Sequence, residues 1–269
     1  LQYNGTFANF EFTYTNGTVI PAWIEANNSG VLTIWLNITN TTTQVELDIF
    51  NSTTNTLSSS GTTGIGEAPQ LSSTYAQYDD GASVFNFYDN FAGTSLNTSK
   101  WTVGTVTASV NNGLTITGSN SNPAHLMTVA TFPQNQYSEE WYGTYATQTS
   151  GSWSASGFGF NITGNLGSFP YYSLGVGYGS GSPPSFQGYT GLWSLYETAT
   201  SGSYGYFYYN YTTLEKTVTA YSGSYSWGWG LQSSDNPYRV QWARMRALPP
   251  NGVMPSYSFG AVQSTGATL

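Results

Sequence analysis

Apolar side chains alternate with polar ones along most of this chain, the period-2 pattern of strands with one buried face. Phe10, Phe12 and Tyr14 share one face, with Glu11, Thr13 and Thr15 on the other. Leu32, Ile34, Leu36 and Ile38 predict a second strand after the Asn-Asn-Ser-Gly turn at 27–30, and Val45, Leu47 and Ile49 predict a third. Residues 53–75 lose the alternation and fill with Ser, Thr and Gly, which reads as a connection between two β units. Strands resume at Val84. A hairpin is expected around Asn111-Asn112-Gly113, flanked by Val106, Ala108 and Val110 before it and by Leu114 and Ile116 after it. Short strands continue to Val262 between Gly, Ser and Pro clusters, and no long helical period occurs. The spacing suits a two-sheet sandwich or jelly roll.

The first residues change phase. Leu1, Tyr3, Gly5 and Phe7 alternate on odd positions, whereas Phe10, Phe12 and Tyr14 use even ones. One strand cannot present both sets to one core, so Ala8-Asn9 reads as a bulge, a hinge or a break between strands. The chain therefore divides into an N-terminal segment (1–9, a candidate donor strand), an N-terminal β domain with its connection (10–75) and a jelly-roll β-sandwich (76–269). The fold class is all-β, a small N-terminal sandwich-like domain followed by a larger jelly roll.

Composition supports that class and removes several functions. Aromatic residues make up 17% of the chain and charged residues only 7%, so the core material is ample and the surface relies on hydroxyls and amides. Five basic residues against thirteen acidic ones give a net charge of −8, which offers nucleic acid no basic footprint. A surface with so few ionisable groups changes little on acidification, which suits an acidic habitat. There is no cysteine, hence no disulfide, zinc–thiolate site or Cys nucleophile. No apolar run is long enough to span a bilayer, and no membrane span is expected. The chain starts at Leu1 and not at Met, so an N-terminal signal is expected to have been removed. Its opening, LQYNGTFANFEF, lacks the long apolar helix of type IV-like pilins.

Nine Asn-x-Ser/Thr acceptors occur, at Asn4, Asn16, Asn27, Asn37, Asn40, Asn51, Asn97, Asn161 and Asn210. Six of the eight Asn in the first 51 residues are acceptors, against three of the fourteen that follow, so the enrichment is N-terminal. This predicts a secreted or cell-surface protein whose N-terminal part carries N-linked glycans.

Three stretches together carry a family resemblance. Residues 20–25 (IPAWIE) with 31–38 (VLTIWLNI) resemble the start of a domain of unknown function found in archaeal and bacterial surface proteins. Residues 66–101 resemble its junction with a concanavalin A-like jelly roll, and residues 242–263 (WARMRALPPNGVMPSYSFGAVQ) resemble its end. The resemblance is closest to surface proteins of thermoacidophilic archaea. It implies a β-sandwich entry domain, a lectin-like jelly roll and an extracellular setting, but no defined activity.

Residues 91–101 are also similar to the opening strand of jelly-roll glycosidases. Retaining members of that class need two carboxylates about 5–5.5 Å apart, typically on an E-x-D-x-E strand. The nearest match, Glu46-Leu47-Asp48-Ile49-Phe50, lacks the last carboxylate and precedes the jelly roll. Glu139 and Glu140 are adjacent, so a strand sends them to opposite faces. No enzyme is expected, and no catalytic residue is assigned. His125, the sole histidine, reads as a polar loop residue, and no G-x-S-x-G elbow accompanies it. Asp79, Asp80 and Asp89 are weak calcium candidates, the one cofactor considered besides glycans. Tyr204, Tyr206 and Tyr208, with Trp227 and Trp229, offer rings for sugar stacking, a subunit interface, a lid or the core. Arg239, Arg244 and Arg246 are expected to pair with carboxylates such as Asp235 or Glu197.

Two functions from different classes fit these readings. In one, the chain is the repeating subunit of an extracellular filament similar to the thread-type pili of thermoacidophilic archaea. There Leu1, Tyr3 and Phe7 would insert as a donated strand into another copy. In the other, it is a carbohydrate-binding module of a surface adhesin with polysaccharide as partner.

Overall fold

A computed structural model describes residues 8–38, 44–118, 124–133, 136–146, 156–160, 175–178, 189–197, 204–219, 223–231, 237–249, 256 and 258–261. Leu1, Tyr3, Phe7, Asn4, Asn40, Asn161 and Asp235 lie outside the described residues, as do the side chains of Tyr204 and Glu197. Strands predominate, as the sequence predicts. The N-terminal part holds β1 (Phe10–Thr13), β2 (Ala22–Asn28), β3 (Val31–Leu36), β4 (Glu46–Ile49) and β5 (Ile65–Glu67). The one-turn helix α1 (Gly81–Val84) and β6 (Phe87–Asp89) follow. Next come β7 (Trp101–Val103), β8 (Thr107–Val110), β9 (Leu114–Thr117), β10 (His125–Thr128), β11 (Phe132–Pro133) and β12 (Tyr137–Thr144). The remainder are β13 (Ser156–Phe160), β14 (Gly175–Tyr178), β15 (Thr190–Glu197), β16 (Tyr204–Tyr209), β17 (Thr213–Thr219), β18 (Ser224–Tyr225), β19 (Trp227–Leu231) and β20 (Tyr238–Ala247).

Two antiparallel sheets build the jelly roll. The larger runs β17-β16-β15-β12-β20-β9-β8, with β6 also paired to β20, and the smaller runs β14-β13-β19-β10-β7. Their facing sides meet in one aromatic core. Trp141 and Trp193 from the larger sheet stack at 5.8 Å, and Trp141 meets Trp229 of the smaller sheet edge-on at 5.9 Å. Trp101 meets Trp227 in the same edge-on way at 5.4 Å. Such rings bury large apolar area with few side-chain torsions to freeze, which suits a chain poor in Leu and Ile. The predicted hairpin is present: β8 and β9 pair from Val110↔Leu114, and positive φ at Asn112 and Gly113 closes the turn.

The N-terminal part is less regular than the alternation suggests. Its centre is β2, which the period-2 reading missed. Ala22, Trp23 and Ile24 are all buried, and the register with β3 shifts between Ile24 and Ala26, so no clean alternation survives. Within the presumed connection 53–75, Ile65–Glu67 forms β5, parallel to β2 and buried throughout. Three residues are too few to show a period. A satellite cluster joins both parts of the chain, with Trp23 and Ala68 packed among Phe85, Tyr88, Leu192 and Trp242. No helix among the described residues is long and apolar enough to cross a membrane.

Candidate functional site

Strand β20 sends Trp242, Arg244 and Arg246 away from the sandwich core, towards the N-terminal sheet. Arg244 is fully buried there and is the polar centre of the joint. Its Nε donates to Glu140 Oε2 at 2.7 Å, and its Nη2 donates to Glu25 Oε2 at 2.8 Å. Glu140 comes from neighbouring β12 through the pairing Glu140↔Arg244, whereas Glu25 comes from β2. Arg246 completes the set, donating from Nε and Nη2 to Glu140 Oε1 at 3.0 and 2.7 Å. Trp35 Nε1 and Tyr211 OH donate to Glu25 Oε2 at 2.6 and 3.0 Å. Four rings surround the Arg244 guanidinium: Phe85 at 4.5 Å, Trp35 at 4.7 Å, Trp242 at 4.8 Å and Trp23 at 5.3 Å. Burial alone would raise the Glu140 carboxyl, but the charges of Arg246 and Arg244 hold it down at about 2.

This arrangement corrects the expected partners of the arginines: Arg244 and Arg246 pair with Glu140 and Glu25. Sequence separation hid those contacts, since Glu25 and Arg244 lie at opposite ends of the chain. Glu139 and Glu140 do face opposite ways on β12. Glu139 is fully buried on the core side with neither carboxylate oxygen hydrogen-bonded, and burial pushes its carboxyl well above the ordinary range. Glu140 is instead saturated by arginine donors.

The other candidate residues disperse. Trp227 and Trp229 are fully buried in the aromatic core, which removes them as sugar-stacking or interface rings. On β16, Phe207 faces the core while Tyr206 and Tyr208 lie half-buried on the opposite face. His125 opens strand β10 and is not in a loop. Asp79 accepts from Trp23 Nε1, the Gly81 amide, Tyr88 OH and Asn90 Nδ2 at 2.6–2.9 Å. Asp89 accepts from the Phe91 amide and Trp101 Nε1 at 3.0 and 2.6 Å. Those two carboxylates are occupied by the chain's own donors, and among the described residues no acidic trio stands where a metal ion is held. Asn16, Asn27, Asn51, Asn97 and Asn210 are exposed, whereas Asn37 is half-buried and donates from Nδ2 to the Ser83 carbonyl at 2.9 Å. In Asn16, Asn51 and Asn97 the amide oxygen accepts the backbone N–H two residues on, an Asx turn inside each acceptor triplet.

The N-terminal sheets also hold an unfinished surface. Among the described residues β3 pairs only with β2, and β4 pairs only with β1, leaving one edge of each strand unpaired. The small core beside them is half open. Phe10, Ala22, Ile24 and Ile65 are buried, but Phe12, Leu32, Ile34, Leu36 and Leu57 are only partly covered. Apolar side chains continue into solvent around both edges: Val31 is 70% exposed, Ile38 and Leu47 45%, and Ile49 41%. Soluble chains generally blunt such edges with charge or cover them. The chain enters at Ala8-Asn9, where the Thr56 amide donates to the Ala8 carbonyl and Asn9 exchanges backbone and side-chain bonds with Phe50.

No family model and no curated protein sequence matches the chain. Several solved structures do. The catalytic domain of an endo-1,3-β-glucanase (laminarinase) from Thermotoga petrophila is 11% identical, covering 60% of this chain and 96% of that one, with a TM-score of 0.39. β-Agarase A, solved with oligoagarose, is 13% identical over 61% of this chain and 92% of its own, with a TM-score of 0.38. An endo-β-galactosidase from Clostridium perfringens that releases GlcNAcα1-4Gal is 11% identical over 63% of this chain and 64% of its own, with a TM-score of 0.40. These three structures are of glycoside hydrolases, so the expectation that this chain is no enzyme is withdrawn. At these scores no residue role passes from them to this chain.

The Arg244 centre makes a testable statement. Replacing Arg244 by Leu leaves Glu25 without its arginine and Glu140 with Arg246 alone, and should lower folding stability by about 3–5 kcal/mol in urea titrations. A depressed carboxyl contributes stability above the ordinary carboxylate range and loses it as pH falls through the folded value. The wild type should therefore weaken as pH approaches about 2, where the Glu140 proton is taken up, and Glu140→Gln should flatten that acid limb. Equal acid slopes in both proteins would refute the assignment.

Proposed function

We propose that the chain is a structural subunit of an extracellular, glycosylated filament of the thread type suggested by its resemblance to thermoacidophile surface proteins. Residues 1–7 of one copy enter the apolar gap beside β3 and β4 of the next, with Leu1, Tyr3 and Phe7 turned inward. The observation that carries this reading is the half-open N-terminal core with two apolar edges that no described strand pairs. A seven-residue strand spans about 23 Å, enough to pair along the whole of a six-residue strand such as β3. Each inward side chain contributes about 1.5–3 kcal/mol through burial, and the strand's backbone groups satisfy an open edge. The tight joint at Arg244 would carry the position of the next subunit into the jelly roll.

Deleting residues 1–7 should leave a folded subunit that no longer polymerises and that aggregates through the open gap. Size-exclusion chromatography and electron microscopy read both effects, and filaments of normal appearance from the truncated protein would sink the donor-strand reading.

The exposed acceptors supply the polar coat that a charge-poor surface lacks, so native protein should carry glycans at most of the nine Asn positions. Peptide mass spectrometry finding most of these asparagines unmodified would remove glycosylation from the proposal.

A second reading, polysaccharide binding, is favoured by Tyr206 and Tyr208, which stand on the sheet face opposite the core. Retention of the protein on surface polysaccharide that is lost in the Tyr206→Ala/Tyr208→Ala variant would support it, whereas retention unchanged by the variant would discard these rings as the platform.

A further inference from the structure

A second polar centre lies where β5 packs against the turn leading into α1, and it is built differently from the Arg244 centre. Glu67 on β5 is 7% exposed and Asp80, just before α1, is 3% exposed. Glu67 Oε1 and Asp80 Oδ2 are buried with no hydrogen-bond partner. The backbones around them are pressed together. A Cβ on Gly66 would lie 2.3 Å from Asp80 Cβ, and one on Gly61 would lie 2.5 Å from Asp80 Oδ2. The Glu67 amide donates to the Tyr78 carbonyl at 3.0 Å, and Ser83 Oγ donates to Asp80 Oδ1 at 2.6 Å.

The surrounding elements bring no described cation to this site. Glu25 on β2 faces Arg244, while Glu11 on β1 lies near Asp48 of β4. Asp79 is saturated by Trp23, Gly81, Tyr88 and Asn90, and adds negative charge beside both orphan carboxyls. From β6, Tyr88 donates a hydrogen bond from its hydroxyl to Asp79, and Asp89 is held by Phe91 and Trp101. Tyr75 donates to the carbonyls of Asn90 and Gln241. Lys100 donates its Nζ to the Tyr88 carbonyl, and the described ion pairs all belong to Arg244 and Arg246. Among the described residues no group of three ligating side chains stands at these oxygens, and burial without a described counter-charge favours their protonated form.

We propose that this joint is an acid-operated lock: protons on Glu67 and Asp80 hold β5 against the α1 turn, and their loss loosens the N-terminal sheet from the jelly roll. Burial, reinforced by the Asp79 charge, pushes the Glu67 carboxyl up to about 7. Burial likewise pushes Asp80 up to about 6, with Ser83 opposing and Asp79 reinforcing the rise. Raised carboxyls contribute their stability in full below the ordinary carboxylate range. That contribution is lost as pH rises through the folded values, so the lock closes in acid and opens above neutrality. The inference does not depend on polymerisation.

Hydrogen exchange on the full chain tests it at about pH 4 and about pH 8, with protection factors corrected for the intrinsic pH dependence. The Glu67 and Ala68 amides, bonded to Tyr78 and Ile24, should lose about tenfold or more in protection on going to the higher pH. Amides of the Trp141 strand should change much less. Glu67→Gln, which mimics the protonated acid, should abolish most of that loss while leaving protection in acid unchanged. Asp80→Asn provides an independent variant if Glu67→Gln folds poorly. A wild type equally protected at both pH values, or variants that lose protection just as the wild type does, would overturn the lock.

Discussion

The fully buried guanidinium of Arg244 is the constraint around which the two parts of this chain are arranged. A buried guanidinium is tolerated only where counter-charges and hydrogen-bond acceptors surround it. Here Glu140 supplies one from within the jelly-roll sheet and Glu25 supplies the other from the N-terminal sheet. Neither part holds the complete site. Four aromatic rings then exclude water from it, which strengthens each electrostatic contact and makes separation of the parts costly. Trp23, packed edge-on against Trp242 at 5.4 Å, extends the same joint as an apolar contact.

Charge is used sparingly elsewhere, and each buried acid meets a different local environment. Glu140 is ionised by arginines. Glu139, one residue earlier on the same strand, faces the apolar core and is held neutral by desolvation. Glu67 and Asp80 sit between these extremes, buried without a cation but close to another acid. A core of tryptophan, tyrosine and phenylalanine does not titrate in acid, so the pH response falls to these few acids. The polar economy of the surface and the protonatable joint are thus two expressions of one composition.

The jelly roll and the N-terminal sheets also differ in completeness. The large sandwich buries its tryptophans from both sides. The small core shows Leu32, Ile34 and Leu36 only half covered, although β1, β2, β3 and β5 all contribute to it. Among the described residues β3 and β4 each have one unpaired edge, and Val31 and Ile38 by β3, with Leu47 and Ile49 on β4, are exposed there.

Local pattern sufficed for much of the architecture. Alternation located β1, β3 and β4, Asn112-Gly113 specified a hairpin through its positive φ, and adjacency alone sent Glu139 and Glu140 to opposite faces. Those features depend on period 2 and turn chemistry, which are local. Strands β2 and β5 escaped notice because one carries a register shift and the other has only three residues. The partners of Arg244 and Arg246, and the burial of Trp227 and Trp229, were decided by tertiary structure. A ring or charge on a strand has two faces available, and which one is buried depends on the sheet that packs there. Likewise a composition with so few acids is local information, but the packing of β5 on the α1 turn and of β2 on β20 set which acids were paired and which were left without a described ion-pair partner, because each pairing joins segments far apart in the chain.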